Sequence, residues 1–393
     1  MSERLTRAAL VIMLGAHATI AAIVFVKSTE PASDFDRYYQ IASGRGRPYV
    51  DYPVEHPIGT LLTFKALASI PASGGGRASF GRGVVALNAV ADAIVVASLV
   101  WAWGVPAAVY YAAVTLPISG LLFNRIDFWS MAAATLAMAS WRRKRPWLAA
   151  SALAAGASLK LWPLLLAPVL LARSSDRRAA AGMFALSAGA LAAAALLFGG
   201  SASIIDVLTF RGARGWQIES SMGSLIHLAG ASPIRFESGS LRTGTISGPA
   251  SIALFAAAGP ICLWAGWRCM RTGRVGTGWL ASVSVLLVLS ALFSTQYVGW
   301  LVPGGAIAWV ERDRRSALSA ALAVAVTDAF YVNYDQLIEG ARWAMALVVL
   351  RNIVVLAIAV NAMRTLAAAS LLEPDLEPQL APVRVVEGSE RRR

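Results

Sequence analysis

The sequence predicts an all-α polytopic membrane protein, and its composition and long apolar runs support this fold class. The chain has 393 residues, of which 57% are hydrophobic and only 15% are charged. Soluble domains carry about 25% charged residues, so this chain lacks the polar surface that a soluble protein needs. Ala8–Val26 contains no charge and is long enough to cross a hydrocarbon core of about 30 Å as a helix. Similar runs follow, and we expect about 11–13 membrane segments in total.

Arginine clusters between the apolar runs indicate the orientation of the chain. The net charge is +13, but the basic residues follow the pattern in which cytoplasmic loops are positive. This pattern favours anionic membrane lipids as partners and argues against nucleic acid. Arg4 and Arg7 place the N-terminus in the cytoplasm, and Arg142–Arg145 returns the chain there. The alanine- and arginine-rich, lysine-poor usage suggests a bacterium of high GC content. Together with the apolar runs, it predicts a multi-pass protein of the bacterial plasma membrane whose site faces the extracytoplasmic side.

One apolar segment must fail to cross the membrane. If every segment before Arg142–Arg145 crossed, this basic cluster would lie outside the cytoplasm. We expect the proline-broken segment Pro106–Leu122 to be re-entrant, since irregular backbone is tolerated at that depth where it lines a cavity. The alternative is that Ile58–Ile70, which is barely long enough, does not cross. In the first case the basic loop Ser73–Arg82 lies on the cytoplasmic side.

The predicted organisation is one transmembrane domain, 1–372, followed by a disordered cytoplasmic tail, 373–393. Within the domain, 27–57 is a first extracytoplasmic loop and 199–248 is a second. Neither a GxxxxGK[ST] loop nor a Rossmann glycine fingerprint occurs, which argues against a nucleotide-driven machine. The histidines are too scattered to suggest a zinc cluster, so we predict no cofactor and name no metal ligands, and the sequence leaves metal dependence open.

The first outer loop carries the residue types that a group transfer needs. Ser33–Pro57 contains four acids, one histidine and four tyrosines. Because the sequence shows no nucleotide-binding motif, a lipid-linked donor is the simplest substrate for a site that faces outward. Such a reaction needs a carboxylate for the acceptor proton, cations for the leaving phosphate and a groove for the lipid. The alternative is a solvated loop that only joins two spans.

Asp34 and Asp36 are the candidate bases. If a helix begins here, the two carboxylates point to different faces, so only one can face the site. Asp34 could instead serve only as a helix cap, and Asp36 could form a surface ion pair. The spacing alone leaves this choice open.

Cations and polar residues at the outer ends of the apolar runs complete the predicted site. Lys160 ends one such run, where it could bind phosphate or extend its ammonium to the membrane interface. The candidate phosphate ligands are Lys160, Arg211, Arg214 and Arg125. The candidate contacts to sugar or acceptor are Tyr38, Tyr39, Tyr52, His56, Glu219, His227, Gln296 and Tyr297. The aromatic residues among them could equally be interface anchors, and the polar ones could be ordinary helix-end residues.

Several spaced motifs resemble a known family. Ser33–Tyr39 and Gly46–Tyr49 resemble the first outer loop of the GT-C polyprenyl-phosphate-mannose-dependent α-mannosyltransferases. The resemblance is to family 87, which includes the enzymes that elongate phosphatidylinositol mannosides. Arg143–Pro163, Arg211–Leu228 and Phe293–Pro303 are similar to later signatures of the same family. The likeness extends over most of residues 8–310.

The resemblance implies a GT-C fold and an inverting glycosyltransferase. Mannose is the favoured sugar, and it would move from a polyprenyl phosphate to a lipid or glycan acceptor on the extracytoplasmic face. Asp34 matches the catalytic base of the family. Two alternatives stay open: a polyprenyl-phosphate arabinose or pentose transferase of the same fold, and a non-catalytic lipid or sugar transporter. A transporter predicts paired ionisable residues at the membrane midplane and an internal repeat, whereas only Asp92 lies deep in a span.

Overall fold

A computed structural model of the chain describes residues 3–30, 34–70, 76–168, 177–209 and 212–372. Helices make up most of these ranges, and five of them are long and apolar enough to cross a membrane. These findings confirm the predicted all-α polytopic fold class. Arg211 and the predicted tail 373–393 lie outside the described residues.

The helices follow one another with short connections in the first half of the chain. They are α1 (Glu3–Lys27), α2 (Asp34–Ser43), α3 (Ile58–Ala68), α4 (Gly76–Trp103), α5 (Val105–Thr115), α6 (Ser119–Phe123), α7 (Asp127–Arg142) and α8 (Pro146–Leu159). A 3-10 helix, Trp162–Leu166, comes next.

The second half adds nine α-helices and a small sheet within the described ranges. The helices are α9 (Arg177–Gly199), α10 (Ala202–Thr209), α11 (Ser221–Leu228), α12 (Gly248–Thr272), α13 (Val275–Leu289), α14 (Leu301–Val310), α15 (Arg314–Tyr331), α16 (Tyr334–Ile338) and α17 (Arg342–Leu372). A second 3-10 helix, Thr295–Trp300, precedes α14. The strands are β1 (Trp216–Gln217), β2 (Arg235–Glu237) and β3 (Ser240–Thr243), which pair antiparallel in the order β1-β3-β2.

Two ends of the helical bundle can be distinguished by their contacts. We call the end of the bundle at which α1 ends, just before Ser28, the loop end. We call the end of the bundle at which α4 and α7 both end the arginine end. The two helices end side by side there, since Nε of Arg142 donates to the carbonyl of Ala102 over 2.8 Å. The turn between α14 and α15 lies at the arginine end as well, since Glu311 is close enough to Arg142 to interact with it electrostatically.

Helix α3 does not cross the bundle, and the prediction that placed Ser73–Arg82 at the cytoplasmic end is wrong. Arg77, in the first turn of α4, donates to the carbonyls of Ser28 over 2.5 Å and of Glu30 over 2.7 Å. The chain therefore enters α4 at the same end at which it left α1. The physical reason is length, because the 11 residues of α3 rise only about 16 Å as a helix.

The segment Pro106–Leu122 does cross, so the expectation that it is re-entrant is also wrong. It leaves the arginine end as α5, is interrupted near Pro117, and continues as α6. Just beyond α6, the guanidinium of Arg125 reaches Asp34 at the loop end, with 2.6 Å between Nη1 and Oδ2. A proline interrupts the hydrogen-bond ladder of a helix without preventing the chain from continuing in the same direction.

A buried polar cluster joins α1, α4 and α5 within the bundle. Nδ1 of His17 lies 3.0 Å from Oδ2 of Asp92, and the Tyr111 hydroxyl donates to Oδ1 of Asp92 over 2.7 Å. The other ring nitrogen of His17 lies 3.1 Å from the carbonyl of Ala112. Buried polar groups need such partners, so these contacts specify how the three helices pack.

Candidate functional site

Helix α2 separates its two aspartates in the way that the helical spacing predicts. Phe35, Tyr38 and Ile41 recur on one face and are buried, which fixes the rotation of the helix. Asp34 then faces Arg125, whereas Asp36 accepts from Nε of Arg77 over 2.5 Å. The Asp36 pair fastens α2 to the start of α4 and lies away from the Asp34 pair.

The turn that carries Arg125 is held by an asparagine of α4. The side-chain nitrogen of Asn88 donates to the carbonyl of Phe123 over 2.8 Å and to that of Arg125 over 2.7 Å. Asn88 is fully buried, so no water competes for these two bonds. They position the connection between α6 and α7, which contains Arg125 and leads directly into Asp127, the first residue of α7.

Asp127, the first residue of α7, holds Lys160 at the end of α8. One carboxylate oxygen, Oδ1, accepts from Nζ of Lys160 and from Nε1 of Trp300, each over 2.7 Å. The Asp127 side chain is 1% exposed and that of Lys160 is 12% exposed. This is a buried ion pair, and a lysine that only snorkels to the membrane interface would not require such a partner.

Aromatic rings stack beside this ion pair. The ring centroids of Tyr297 and Trp300 are 4.1 Å apart, and those of Trp300 and Trp162 are 5.2 Å apart. The ammonium of Lys160 lies 4.6 Å from the centroid of Tyr297. A cation over an aromatic face is attracted by the ring quadrupole, so the stack and Asp127 together fix the position of Lys160.

A cavity with an apolar wall opens next to Lys160. Its polar lining includes Glu55, His56, Lys160, Arg242 and Tyr297. Its apolar lining includes Leu161, Val207, Leu208, Phe255, Leu286 and Leu287. These apolar residues come largely from α10, α12 and α13, so the cavity joins a charged rim to the hydrophobic part of the bundle.

His56 contributes a neutral imidazole to this cavity. Burial lowers its pKa to about 4, and the neighbouring Glu55 carboxylate offsets this only in part. Glu55 is itself engaged by Arg37 through two bonds, of 3.0 Å from Nε and 2.7 Å from Nη2. Nε2 of His56 has no hydrogen-bond partner among the described residues. At neutral pH it is therefore available to a hydroxyl group.

Glu219 is buried in the connection between β1 and α11, close enough to Arg125 to interact with it electrostatically. Its carboxylate accepts from Gln217 over 2.6 Å and from the hydroxyl of Thr295. Burial raises its pKa above the ordinary value, although the bond from Thr295 opposes this. Its backbone carbonyl accepts from Arg351 over 2.6 Å, which ties the second loop to α17.

Some of the remaining predicted site residues pack against neighbouring side chains, and the others do not line the cavity. Tyr39 packs on Phe80, and the Tyr52 ring lies beneath the ammonium of Lys65. Tyr38 is buried against His56 and Phe64. Three others are Arg214, which is exposed; His227, which lines a separate pocket with Arg342; and Gln296, which is buried with Oε1 unpartnered among the described residues.

Four residues that the structure brings to the candidate site or its support were not among the predicted site residues. Asp127 and Trp300 hold Lys160, Arg242 lines the cavity, and Arg351 holds Glu219. A signal existed for Arg351, because an arginine within a long apolar run is expected to have a specific partner. No local signal marked Arg242, which lies in a short polar strand.

The comparison with protein families decides the class of this protein. A sequence model described as glycosyltransferase family 87 matches residues 55–295, which is more than half of the chain. The chain belongs to glycosyltransferase family 87. None of the curated proteins compared with it matches.

Membership in family 87 makes this chain a glycosyltransferase with a sugar donor and an acceptor. The matched region contains Arg125, Asp127, Lys160 and Arg242, and it begins after α2, so it does not include Asp34. The His17–Asp92 pair is the kind of feature that the transporter alternative predicts. In a family 87 glycosyltransferase we interpret it as a packing contact between helices.

Replacing Asn88 by leucine is expected to destabilise this glycosyltransferase and to lower its activity. Two carbonyls would lose their donor, and each unsatisfied buried group costs about 1–3 kcal/mol. The midpoint of thermal unfolding in detergent, followed by tryptophan fluorescence, measures the effect. Asn124→Ala is the matched control, since Asn124 makes a local bond of 2.8 Å to Gly120 and is only partly buried. Equal shifts in the two variants would contradict the positioning role of Asn88.

Proposed function

We propose that this chain is an inverting glycosyltransferase that moves mannose from a polyprenyl phosphate to a hydroxyl of a lipid or glycan acceptor. One observation carries the proposal. The ion pairs Asp34–Arg125 and Asp127–Lys160 are close enough to interact electrostatically and form a charged row, and Lys160 at one end of this row lines a cavity whose wall is apolar. A polyprenyl-phosphate sugar has the matching parts: a polar sugar, an anionic phosphate and a hydrocarbon chain.

The proposed chemistry assigns one role to each end of this charged row. The carboxylate of Asp34 takes the proton of the acceptor hydroxyl as the hydroxyl oxygen attacks C1 of the donor sugar. The bond between C1 and the phosphate oxygen breaks, and the phosphate leaves with the electron pair. Lys160 stabilises the negative charge that develops on the phosphate. Attack from the side opposite the phosphate inverts the configuration at C1.

The position of Asp34 fits a group that must meet a substrate. Its side chain is 39% exposed, and Oδ2 is bound by Arg125. The exposed part of the side chain leaves room for an acceptor hydroxyl to approach the carboxylate. Arg125 orients the carboxylate. The acceptor would then enter from the side of Tyr331 and Glu219, both close enough to Arg125 to interact with it electrostatically.

The distribution of charge supports an extracytoplasmic site in a bacterial plasma membrane. At the loop end, arginines are paired with carboxylates, as in the pairs Arg37–Glu55, Arg77–Asp36, Arg125–Asp34 and Arg235–Glu237. At the arginine end, Arg142–Arg145 and the arginines that follow α12 and α14 form a larger positive excess. Loops with such an excess stay in the cytoplasm, so the loop end would face outward.

Transfer from a defined donor tests the proposal. The purified protein would be incubated with radiolabelled polyprenyl-phosphate mannose and a lipid extract from its host. We expect label to appear in an acceptor fraction, in a linkage of inverted anomeric configuration. A polyprenyl-phosphate arabinose donor in a parallel reaction tests the pentose alternative. Transfer from neither lipid donor, with transfer from a nucleotide sugar instead, would contradict the proposal.

A further inference from the structure

Arg242 is a buried cation on the wall of the proposed donor cavity. It is 2% exposed and lies in β3, the central strand of the small sheet. It lines the same cavity as Lys160, and it is close enough to Tyr297 to interact electrostatically with that hydroxyl. The second loop therefore contributes a guanidinium to the rim, from a position 28 residues beyond Arg214 — a candidate that is exposed instead.

Backbone contacts hold this guanidinium in one orientation. Nη1 of Arg242 donates to the carbonyl of Gly215 over 2.6 Å, and Nε donates to that of Glu237 over 3.3 Å. Gly215 permits this close approach, because a Cβ there would lie 2.7 Å from Cβ of Arg242. Since its orientation is set by the sheet, the guanidinium would lose little side-chain entropy on binding an anion.

The other charged groups that line the cavity indicate why a fixed guanidinium of Arg242 is useful there. Lys160 is already paired with Asp127, and Glu55 with Arg37. Each pair is close to neutral as a whole, and His56 is uncharged at neutral pH. A polyprenyl-phosphate sugar brings one negative charge, and the departing phosphate monoester brings more. Stabilising that increase requires a cation in addition to the Lys160–Asp127 pair.

We propose that Arg242 binds the phosphate of the lipid donor together with Lys160 and stabilises it as the leaving group. This inference rests on the proposed function and names a ligand for the phosphate that the sequence did not indicate. A guanidinium suits the role because its planar fork of N–H donors matches two phosphate oxygens at once. Because the phosphate gains charge during the reaction, the contact strengthens in the transition state and with the product.

Binding of the product phosphate tests this inference without turnover. The affinity of the full-length protein for a short-chain polyprenyl phosphate in detergent micelles would be measured by isothermal titration calorimetry. We expect Arg242→Gln to raise the dissociation constant at least tenfold. Arg242→Lys retains the charge but loses the fork, so it should fall between the wild type and Arg242→Gln. In transfer assays, the KM for the acceptor should stay within twofold of wild type.

Arg235→Gln is the matched control. Arg235 pairs in register with Arg242 on the neighbouring strand, and it is ion-paired with Glu237 over 3.2 Å. It lines no part of the cavity. Equal weakening by Arg235→Gln and Arg242→Gln, or a dissociation constant for Arg242→Gln within twofold of wild type, would overturn the inference. If Arg242→Gln unfolds at a lower temperature, Arg242→Lys decides, since wild-type affinity in that variant would also overturn it.

The outcomes for this inference and for the proposed function are distinguishable. A protein that binds polyprenyl phosphate through Arg242 but transfers no sugar from any lipid donor would contradict the proposed function alone. A protein that transfers mannose while Arg242→Gln binds the product normally would contradict the role of Arg242 alone.

Discussion

Replacing Asp34 by asparagine is expected to lower the rate of sugar transfer by about 10²–10⁴-fold, the contribution typical of a positioned general base. Asparagine has nearly the same shape and can still accept a hydrogen bond from Arg125, but it cannot take the proton of the acceptor hydroxyl. The loss should appear in kcat, with little change in the affinity for polyprenyl phosphate. Initial rates at saturating donor and calorimetric binding of the product phosphate measure the two quantities.

Asp36→Asn is the matched control for this prediction. Asp36 lies on the same helix, but its carboxylate is directed to Arg77 and fastens α2 to α4. We expect transfer within a few-fold of wild type and a modest loss of thermal stability. A loss of activity in Asp36→Asn as large as in Asp34→Asn would mean that the orientation of α2, and not a base at position 34, limits the reaction.

Removing the carboxylate of Asp127 is expected to have the largest effect on stability. Breaking a buried ion pair by replacing one partner typically costs about 3–5 kcal/mol, because the other charge stays buried without compensation. Asp127→Asn would leave the Lys160 ammonium among aromatic rings and would also weaken the acceptor for Trp300. The midpoint of thermal unfolding should fall sharply. Transfer activity should fall with it, since Lys160 would no longer be held at the cavity.

The double variant Asp127→Asn with Lys160→Met separates the structural role of the pair from its chemical role. Replacing both charges by groups of similar size is often neutral for stability, so the unfolding midpoint should recover. Sugar transfer should not recover, because the phosphate would lose the cation at position 160. Recovery of both properties would show that Lys160 only balances Asp127 and does not contact the phosphate.

Part of this candidate site could be predicted from the sequence, because the signals for Asp34, Asp36 and Lys160 are local. The helical spacing separates Asp34 from Asp36, and the two carboxylates do reach different partners. The end of an apolar run marks Lys160, which lies at the cavity. For Tyr39 and Tyr52, residue type alone suggested substrate contact, whereas the structure packs Tyr39 on Phe80 and places Tyr52 beneath Lys65.

The path of the chain through the bundle shows where local signals were insufficient. Whether Ile58–Ile70 or Pro106–Leu122 crosses depends on which elements lie beside them. Arg77 contacts the end of α1, and Arg125 contacts α2, and these two contacts decide the question. Hydropathy records how apolar a segment is, but it does not record which segment lies beside it.

By itself the sequence determined the membrane class, the arginine clusters that mark one end of the bundle and the acidic first loop, because charge and apolar length act locally. Only the tertiary structure decided that Asp127 would hold Lys160 and that Arg242 would line the same cavity. The physical reason is that a buried charge must find its partner in space. Lys160 is 33 residues from Asp127 along the chain, and only the packing of α7 against α8 brings the two within 2.7 Å.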